Sequence, residues 1–136
     1  MQLLKAVAVA LVGLTLGIAP GMTMAQSAAS YPQKPIRMII PFGPGGASDF
    51  VGRILQPHLG ERLGQPIVIE NRAGAAGNIG MESAARASPD GYTIYLGNIG
   101  TVAINPAVFT KMPVNPVRDF TPVTLVVDVP STLVVN

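Results

Sequence analysis

The sequence predicts an α/β fold built on a parallel sheet with helices on its faces, and three observations lead there. Short runs rich in β-branched and aliphatic residues, Ile36–Ile40, Ile67–Glu70 and Tyr92–Leu96, alternate with segments whose apolar residues recur at helical spacing. The first two runs are each followed by a glycine-rich loop, Gly43–Asp49 and Asn71–Gly77, that opens straight into a helical segment. The distance between successive runs suits a strand–helix–strand crossover, which joins parallel strands with a right-handed connection.

Residues 1–25 stand apart from this pattern. Lys5 precedes an apolar stretch, Ala6–Ala19, then Pro20-Gly21 and a small-residue site, Thr23-Met24-Ala25, which is the layout of a secretory signal peptide. A membrane-spanning helix needs roughly 20 apolar residues; this run is shorter, contains Gly13 and Gly17, and ends at a helix breaker. Cleavage is expected after Ala25, with Ala29 as a weaker site. No cysteine near the junction offers a lipid anchor, so the product, residues 26–136, is expected to be free and soluble outside the cytoplasm.

Ile36–Ile40 is stopped by Pro41 and the loop Phe42-Gly43-Pro44-Gly45-Gly46. From Ser48 the period becomes helical, and Phe50, Val51, Ile54, Leu55, Leu59 and Leu63 are expected to line one face. Pro57 falls inside that helix and predicts a kink, while Gly64 suits its C-terminal end. Pro66 opens the second strand. A second helix is expected over Asn78–Ala87, with Gly80, Ala84 and Ala87 forming a face small enough to sit close on the sheet and Glu82 and Arg86 pairing on the outer side. Pro89-Asp90-Gly91 forms a turn before the third strand. Asn105-Pro106 and Asn115-Pro116 mark turns around a short helix near Ala107–Phe109. Two β-type runs, Val123–Val127 and Thr132–Val135, follow, split by Asp128-Val129-Pro130, and β character is expected from Thr121 onward. Because the sequence stops directly after the second run, the chain reads as a fragment of a longer protein.

Composition narrows the chemistry. The 136 residues are 49% hydrophobic and 12% charged, with 15 Gly, 13 Pro, one His and no Cys. Disorder and collagen-like repeats are excluded, as are a disulfide framework, a thiolate nucleophile, a cysteine-ligated metal and a histidine pair on a metal. Nine Lys/Arg against seven Asp/Glu give a net charge of +2, too even and too scattered for a nucleic-acid surface.

In an open parallel sheet the ligand crevice lies beyond the carboxyl ends of the strands, where both glycine-rich loops fall. The loop Gly43–Asp49 enters a helix, so free N–H groups and the positive end of the helix dipole face the crevice, a ready site for an anion such as a carboxylate. Gly45 and Gly46 allow close backbone approach. The same glycines also suit a plain strand-to-helix turn, with Ser48 or Asp49 capping the helix; two such loops on neighbouring strands favour binding. A dinucleotide fingerprint fails, because Ser48 stands where the third glycine belongs and Pro44 removes a donor; no Gly-Lys-Ser/Thr follows either loop. Catalytic candidates are sparse. His58 reads as an exposed or half-buried helix residue, Asp49 and Glu70 as capping and anchoring acids, and Ser48 lacks a nucleophile elbow. No catalytic residue, cofactor or metal is assigned.

The run from Tyr31-Pro32 to Asn136 resembles the extracytoplasmic solute receptors of tripartite tricarboxylate transporters, the Bug-type binding proteins. The resemblance rests on Pro32-x-x-Pro35-Ile36-Arg37, Pro41-Phe42-x-Pro44-Gly45-Gly46-x-x-Asp49, Leu63-Gly64-Gln65-Pro66, Val68-x-Glu70-Asn71-Arg72, Gly77-Asn78-Ile79-Gly80, Pro89-Asp90-Gly91-Tyr92-Thr93, and the stretch from Asn105-Pro106 through Asp119-Phe120-Thr121-Pro122-Val123. It implies a periplasmic-binding-protein-like (type II) lobe, of which residues 26–136 are the first part, the second lobe being absent. It also implies a periplasmic receptor for a small organic carboxylate that works with integral membrane transporter subunits. The ligand residues it points to are Phe42, Gly45, Gly46, Ser48 and Asp49 in the first loop and Ala76, Gly77 and Asn78 in the second, with Asn98, Thr101 and Asn105 after the third strand. Ala76, where family members commonly have glycine, and Pro57, in a helix that usually lacks proline, depart from the pattern. The alternative function is an exported α/β enzyme acting on a carboxylate in the same crevice.

Overall fold

The computed structural model describes residues 31–130; the leader and the run Thr132–Val135 lie outside them. Three parallel strands, β1 (Ile36–Ile40), β2 (Ile67–Asn71) and β3 (Thr93–Tyr95), form one sheet in the order β2-β1-β3. Ile36 pairs with Ile67 and Ile40 with Asn71 on one side of β1; Arg37 pairs with Thr93 and Ile39 with Tyr95 on the other. Helices α1 (Ala47–Leu63) and α2 (Asn78–Ala85) form the two crossovers. The first crossover steps from β1 to β2 and the second steps back across β1 to β3. Right-handed connections in opposite directions place their helices on opposite faces.

The core follows from that arrangement. Ile36, Met38 and Ile40 share one face of β1, where Ile67, Leu59 and Leu63 pack with them. Ile39 points to the other face and is fully buried, as are Met81 and, nearly so, Ala84 of α2. A central strand covered on both faces requires an almost continuous apolar run, and burial of each large side chain stabilises the fold by about 1.5–3 kcal/mol.

The expected helical period of α1 is correct, but its phase is not. Asp49 and Gly52 are the buried residues of α1, and Leu59 and Leu63 pack on the core, whereas Phe50 is 66% exposed and Ile54 51%. A Cβ on Gly52 would lie 2.6 Å from Ile40 Cδ1, so this glycine brings the helix down on β1 along the Gly52–Leu59–Leu63 side. The helix runs unbroken through the exposed Pro57, and the expected kink does not divide it. Gly64 ends it in the left-handed conformation (φ 68°), as expected.

Beyond β3 the structure departs further from expectation. Gly100–Ile104 forms a π-helical turn that runs directly into α3 (Asn105–Val108). Asn105-Pro106 therefore begins a helix instead of ending a turn. Asn115-Pro116 likewise opens α4 (Pro116–Asp119), with the Asn115 side chain accepting from the N–H groups of Val117 and Arg118. Residues 121–130 form no strand and are exposed. β propensity expresses fit to a pleated, half-buried surface, and no described strand pairs with this segment. The turn Pro89–Gly91 is anchored to the start of the described chain: Tyr31 Oη donates to Gly91 O (2.7 Å), and Gln33 N–H donates to Tyr92 Oη (2.9 Å).

The closeness of α2 to the sheet is testable. A Cβ on Gly80 would lie 2.7 Å from Pro41 Cα and 2.8 Å from Arg72 O, both backbone atoms, whereas one on Gly60 of α1 would meet Gln65 O at 3.5 Å, an ordinary contact. Urea denaturation should show Gly80→Ala destabilised by about 1–2 kcal/mol despite the better helix propensity of alanine, and Gly60→Ala stabilised by about 0.5–1 kcal/mol.

Candidate functional site

The loops leaving the carboxyl ends of the three strands meet at one end of the sheet, where strand order reverses about β1. In the first loop, Gly45 adopts φ +85°, a conformation that strains side-chain-bearing residues. Its N–H donates to Asp49 Oδ2 (2.9 Å), which also accepts from Arg53 Nε (2.8 Å) one helical turn on. The other oxygen, Asp49 Oδ1, accepts from Asn71 Nδ2 (3.0 Å), and the same amide group donates to Phe42 O (3.0 Å). Asp49 is only 2% exposed. The Arg53 guanidinium first, then the Gly45 N–H and the Asn71 amide, outweigh burial and hold its carboxyl down from the ordinary 3.8 to about 2.

Neither Ser48 nor Asp49 caps α1 in the expected sense. The N-cap is Gly46, extended at φ −80°, with no side-chain cap, and Asp49 reaches back past it to Gly45. The first intrahelical bond runs from Phe50 N–H to Gly46 O (2.9 Å). The N–H groups of Gly46, Ala47, Ser48 and Asp49 therefore have no helical acceptor; those of residues 46–48 lie at the positive end of the α1 dipole.

The second loop carries consecutive alanines in the left-handed region, Ala75 (φ 46°) and Ala76 (φ 54°), followed by Gly77 (φ 91°). Such residues cost on the order of 1–3 kcal/mol each and persist where surrounding contacts impose them. Here Gly77 N–H donates to Gly74 O (2.9 Å) and Asn78 N–H to Ala75 O, so these two backbone donors are engaged within the loop. Gly77 is the junction of all three loops: a Cβ there would lie 2.5 Å from Thr101 Cγ2 and 3.3 Å from Phe42 Cζ. After β3, Thr101 Oγ1 donates to Asn98 O (3.1 Å) and accepts from Asn98 N–H (3.2 Å), and Asn105 Nδ2 donates to Ala76 O (2.9 Å) and Asn78 Oδ1 (2.8 Å).

The expected site residues thus gather at one end of the sheet but divide by exposure. Gly45, Gly46 and Ala76 are exposed, and Phe42, Ser48, Asn78 and Asn98 are half-buried. Asp49, Thr101, Asn105 and Gly77 are buried, the first three with the internal bonds just described. Arg53 and Asn71, which fix the first loop, are not among the expected site residues. Arg53 has a signal in its i,i+4 spacing from Asp49, and Asn71 falls in the motif Val68-x-Glu70-Asn71-Arg72 without a role of its own. Glu70 faces Arg37 (3.4 Å) and Arg72 in ion pairs, and His58 is exposed on α1. Two open depressions of about 440 and 460 Å³ lie elsewhere, one beside Gln56–Ile67 and one around Lys34, Arg86 and Thr93; neither includes a loop residue named above. No group of three or more acidic or histidine side chains suited to a metal ion occurs among the described residues.

A parallel sheet with flanking helices and with its loops gathered at the carboxyl ends of the strands is the architecture of a periplasmic-binding-protein lobe. The chain belongs to the tripartite tricarboxylate transporter receptor family, whose sequence profile matches residues 51–136. It is 41% identical over 128 residues to the protein BugT of Bordetella pertussis, covering 93% of this chain and 39% of BugT. Among solved structures, a periplasmic transporter shares 48% identity at a TM-score of 0.68, over 70% of this chain and 32% of its own. MatC of Rhodopseudomonas palustris, solved with malate bound, shares 40% at a TM-score of 0.68, over 71% of this chain and 33% of its own. A second R. palustris protein, solved with adipate, shares 36% at a TM-score of 0.62, over 64% of this chain and 29% of its own. The chain therefore spans 39% of BugT and about a third of these structures.

The pH dependence of the first loop follows from Asp49. Its folded carboxyl titrates near 2 against an ordinary 3.8, so its stabilising contribution is complete above about pH 4 and is lost as the pH falls toward 2. The urea midpoint should drop across that window, and the drop should be shallower in Asp49→Asn.

Proposed function

We propose that the protein is a periplasmic receptor that captures a small organic carboxylate and delivers it to the integral membrane subunits of a tripartite tricarboxylate-type transporter. The observation that carries this reading is the set of N–H groups at Gly46, Ala47 and Ser48 that have no helical acceptor, next to a loop fixed by the Asp49 contacts. A carboxylate oxygen seated there accepts charge-assisted hydrogen bonds and meets the positive end of a helix dipole. The malate and adipate bound to two structural relatives support the same ligand class. Phe42, Gly45, Ala76, Gly77 and Asn78 form the rest of this wall of the crevice; Asp49, Asn98, Thr101 and Asn105 hold it in shape. On this reading the acid leaves chemically unchanged, and no catalytic residue, cofactor or metal takes part.

The experiment is a titration of the ¹⁵N-labelled chain with malate and adipate, followed by their backbone amide shifts, with the dimethyl esters as neutral controls. Saturable shifts at residues 46–48 for the acids and none for the esters are expected, with both acids recovered intact. Conversion of either acid to a new product would instead favour an enzyme. Gly46→Val provides the local test. Because Gly46 has φ −80° and an added Cβ would meet only Gly43 O at 3.6 Å, the variant should keep its fold. The strain expected if φ were positive does not arise here; that conformation belongs to Gly45. The branched side chain should still obstruct the donors. Losing one such bond, about 1.5–3 kcal/mol, weakens binding at least tenfold.

A further inference from the structure

Asn105 stands at the start of α3, far along the chain from the second loop, yet its side chain is buried against that loop. Its single NH₂ group donates twice, to Ala76 O (2.9 Å) and to Asn78 Oδ1 (2.8 Å). A backbone carbonyl only accepts, so Ala76 O dictates which end of the Asn105 amide faces the loop. The second hydrogen of that NH₂ then requires an acceptor, which turns the Asn78 amide with Oδ1 inward and its own NH₂ the other way. The backbone N–H of Asn78 is already engaged on Ala75 O. Its side-chain NH₂, which donates no hydrogen bond among the described residues, is therefore the donor group this half-buried residue has left.

We propose that Asn105 is a positioning residue for anion recognition: it fixes the polarity of the Asn78 amide so that a ligand carboxylate meets N–H groups and not an amide oxygen. The inference rests on the receptor reading above and goes beyond it by assigning Asn105 a role through Asn78 instead of a direct contact. Without Asn105, the Asn78 amide rotates freely, and in half of its orientations it presents an acceptor to an anion. The left-handed Ala76 is part of the device, because that conformation places its carbonyl toward α3, where Asn105 reads it.

The test is a double-mutant cycle on malate affinity, measured by amide shifts of the ¹⁵N-labelled chain. Asn78→Ala should weaken malate about tenfold. Asn105→Leu, which keeps the volume and removes both donors, should weaken it by a similar factor. The double variant should be no weaker than Asn78→Ala alone, because Asn105 acts only through Asn78. Losses that multiply in the double variant would assign Asn105 a general packing role and overturn the proposal, as would unchanged affinity in Asn78→Ala. The wild-type chain provides a second measurement should Asn105→Leu not fold: malate should shift the Asn78 side-chain NH₂ resonances more than those of Asn105, and the reverse order would overturn the proposal. A different failure is recognisable. If neither malate nor adipate moves the amides of residues 46–48, the receptor reading itself falls, and this proposal with it.

Discussion

A carboxylate removed from water is unfavourable unless donors replace its hydration, and the site depends on how Asp49 meets that condition. Its oxygens accept from three different places: Gly45 in the loop, Arg53 on the same helix and Asn71 at the end of the neighbouring strand. The carboxylate therefore does more than begin a helix. It joins β1, β2 and α1 where their ends meet, and Asn71 extends the tie to the Phe42 carbonyl. The Gly45 N–H is engaged on Asp49, while the N–H groups of residues 46–48, at the first turn of α1, have no helical acceptor. The acid that shapes the loop is paired with Arg53, so its negative charge is compensated where an anionic ligand would approach.

The second and third loops are joined by the same means with different residues. The Asn105 amide does for Ala76 and Asn78 what the Asn71 amide does for Phe42 and Asp49: one NH₂ group bridges a backbone carbonyl and a side-chain oxygen on another element. Gly77 admits the Thr101 methyl and the Phe42 ring to the space a side chain would fill, so the three loops pack as one surface. On the proposed reading, a surface already held by these contacts lowers the ordering cost of binding.

The central sheet was legible from the sequence because its signals are local. Pro41, Gly64, Pro66 and Gly91 bracket the strands and first helix, and a nearly continuous apolar run at Ile36–Ile40 marks a strand buried on both faces. Glycine-rich loops ahead of two helices were expected at the carboxyl ends of the first two strands, and they lie there. The rotation of α1 was not legible, because period fixes which residues share a face and not which face meets the sheet. That choice is made by Gly52, whose missing side chain admits Ile40. Asn71 and Asn105 were opaque as clamps for a related reason: their partners lie 22–29 residues away, and Asn105, before a proline, reads locally as a turn. Val123–Val127 has the composition of a strand, but a strand also needs a neighbour, which no local pattern supplies. Family resemblance gathered the site residues in one group, and the geometry divides them into an exposed or half-buried set and a buried set.

The central claim is that buried polar contacts fix the first loop while leaving adjacent backbone donors free for a carboxylate. Residue-resolved amide hydrogen exchange, with and without malate, tests it most directly. The account predicts a slowly exchanging Gly45 N–H, bound to Asp49, beside rapidly exchanging N–H groups at Gly46, Ala47 and Ser48, with these three slowed by malate. Exchange at Gly45 as fast as at Gly46, or protection by malate that bypasses residues 46–48, would contradict it.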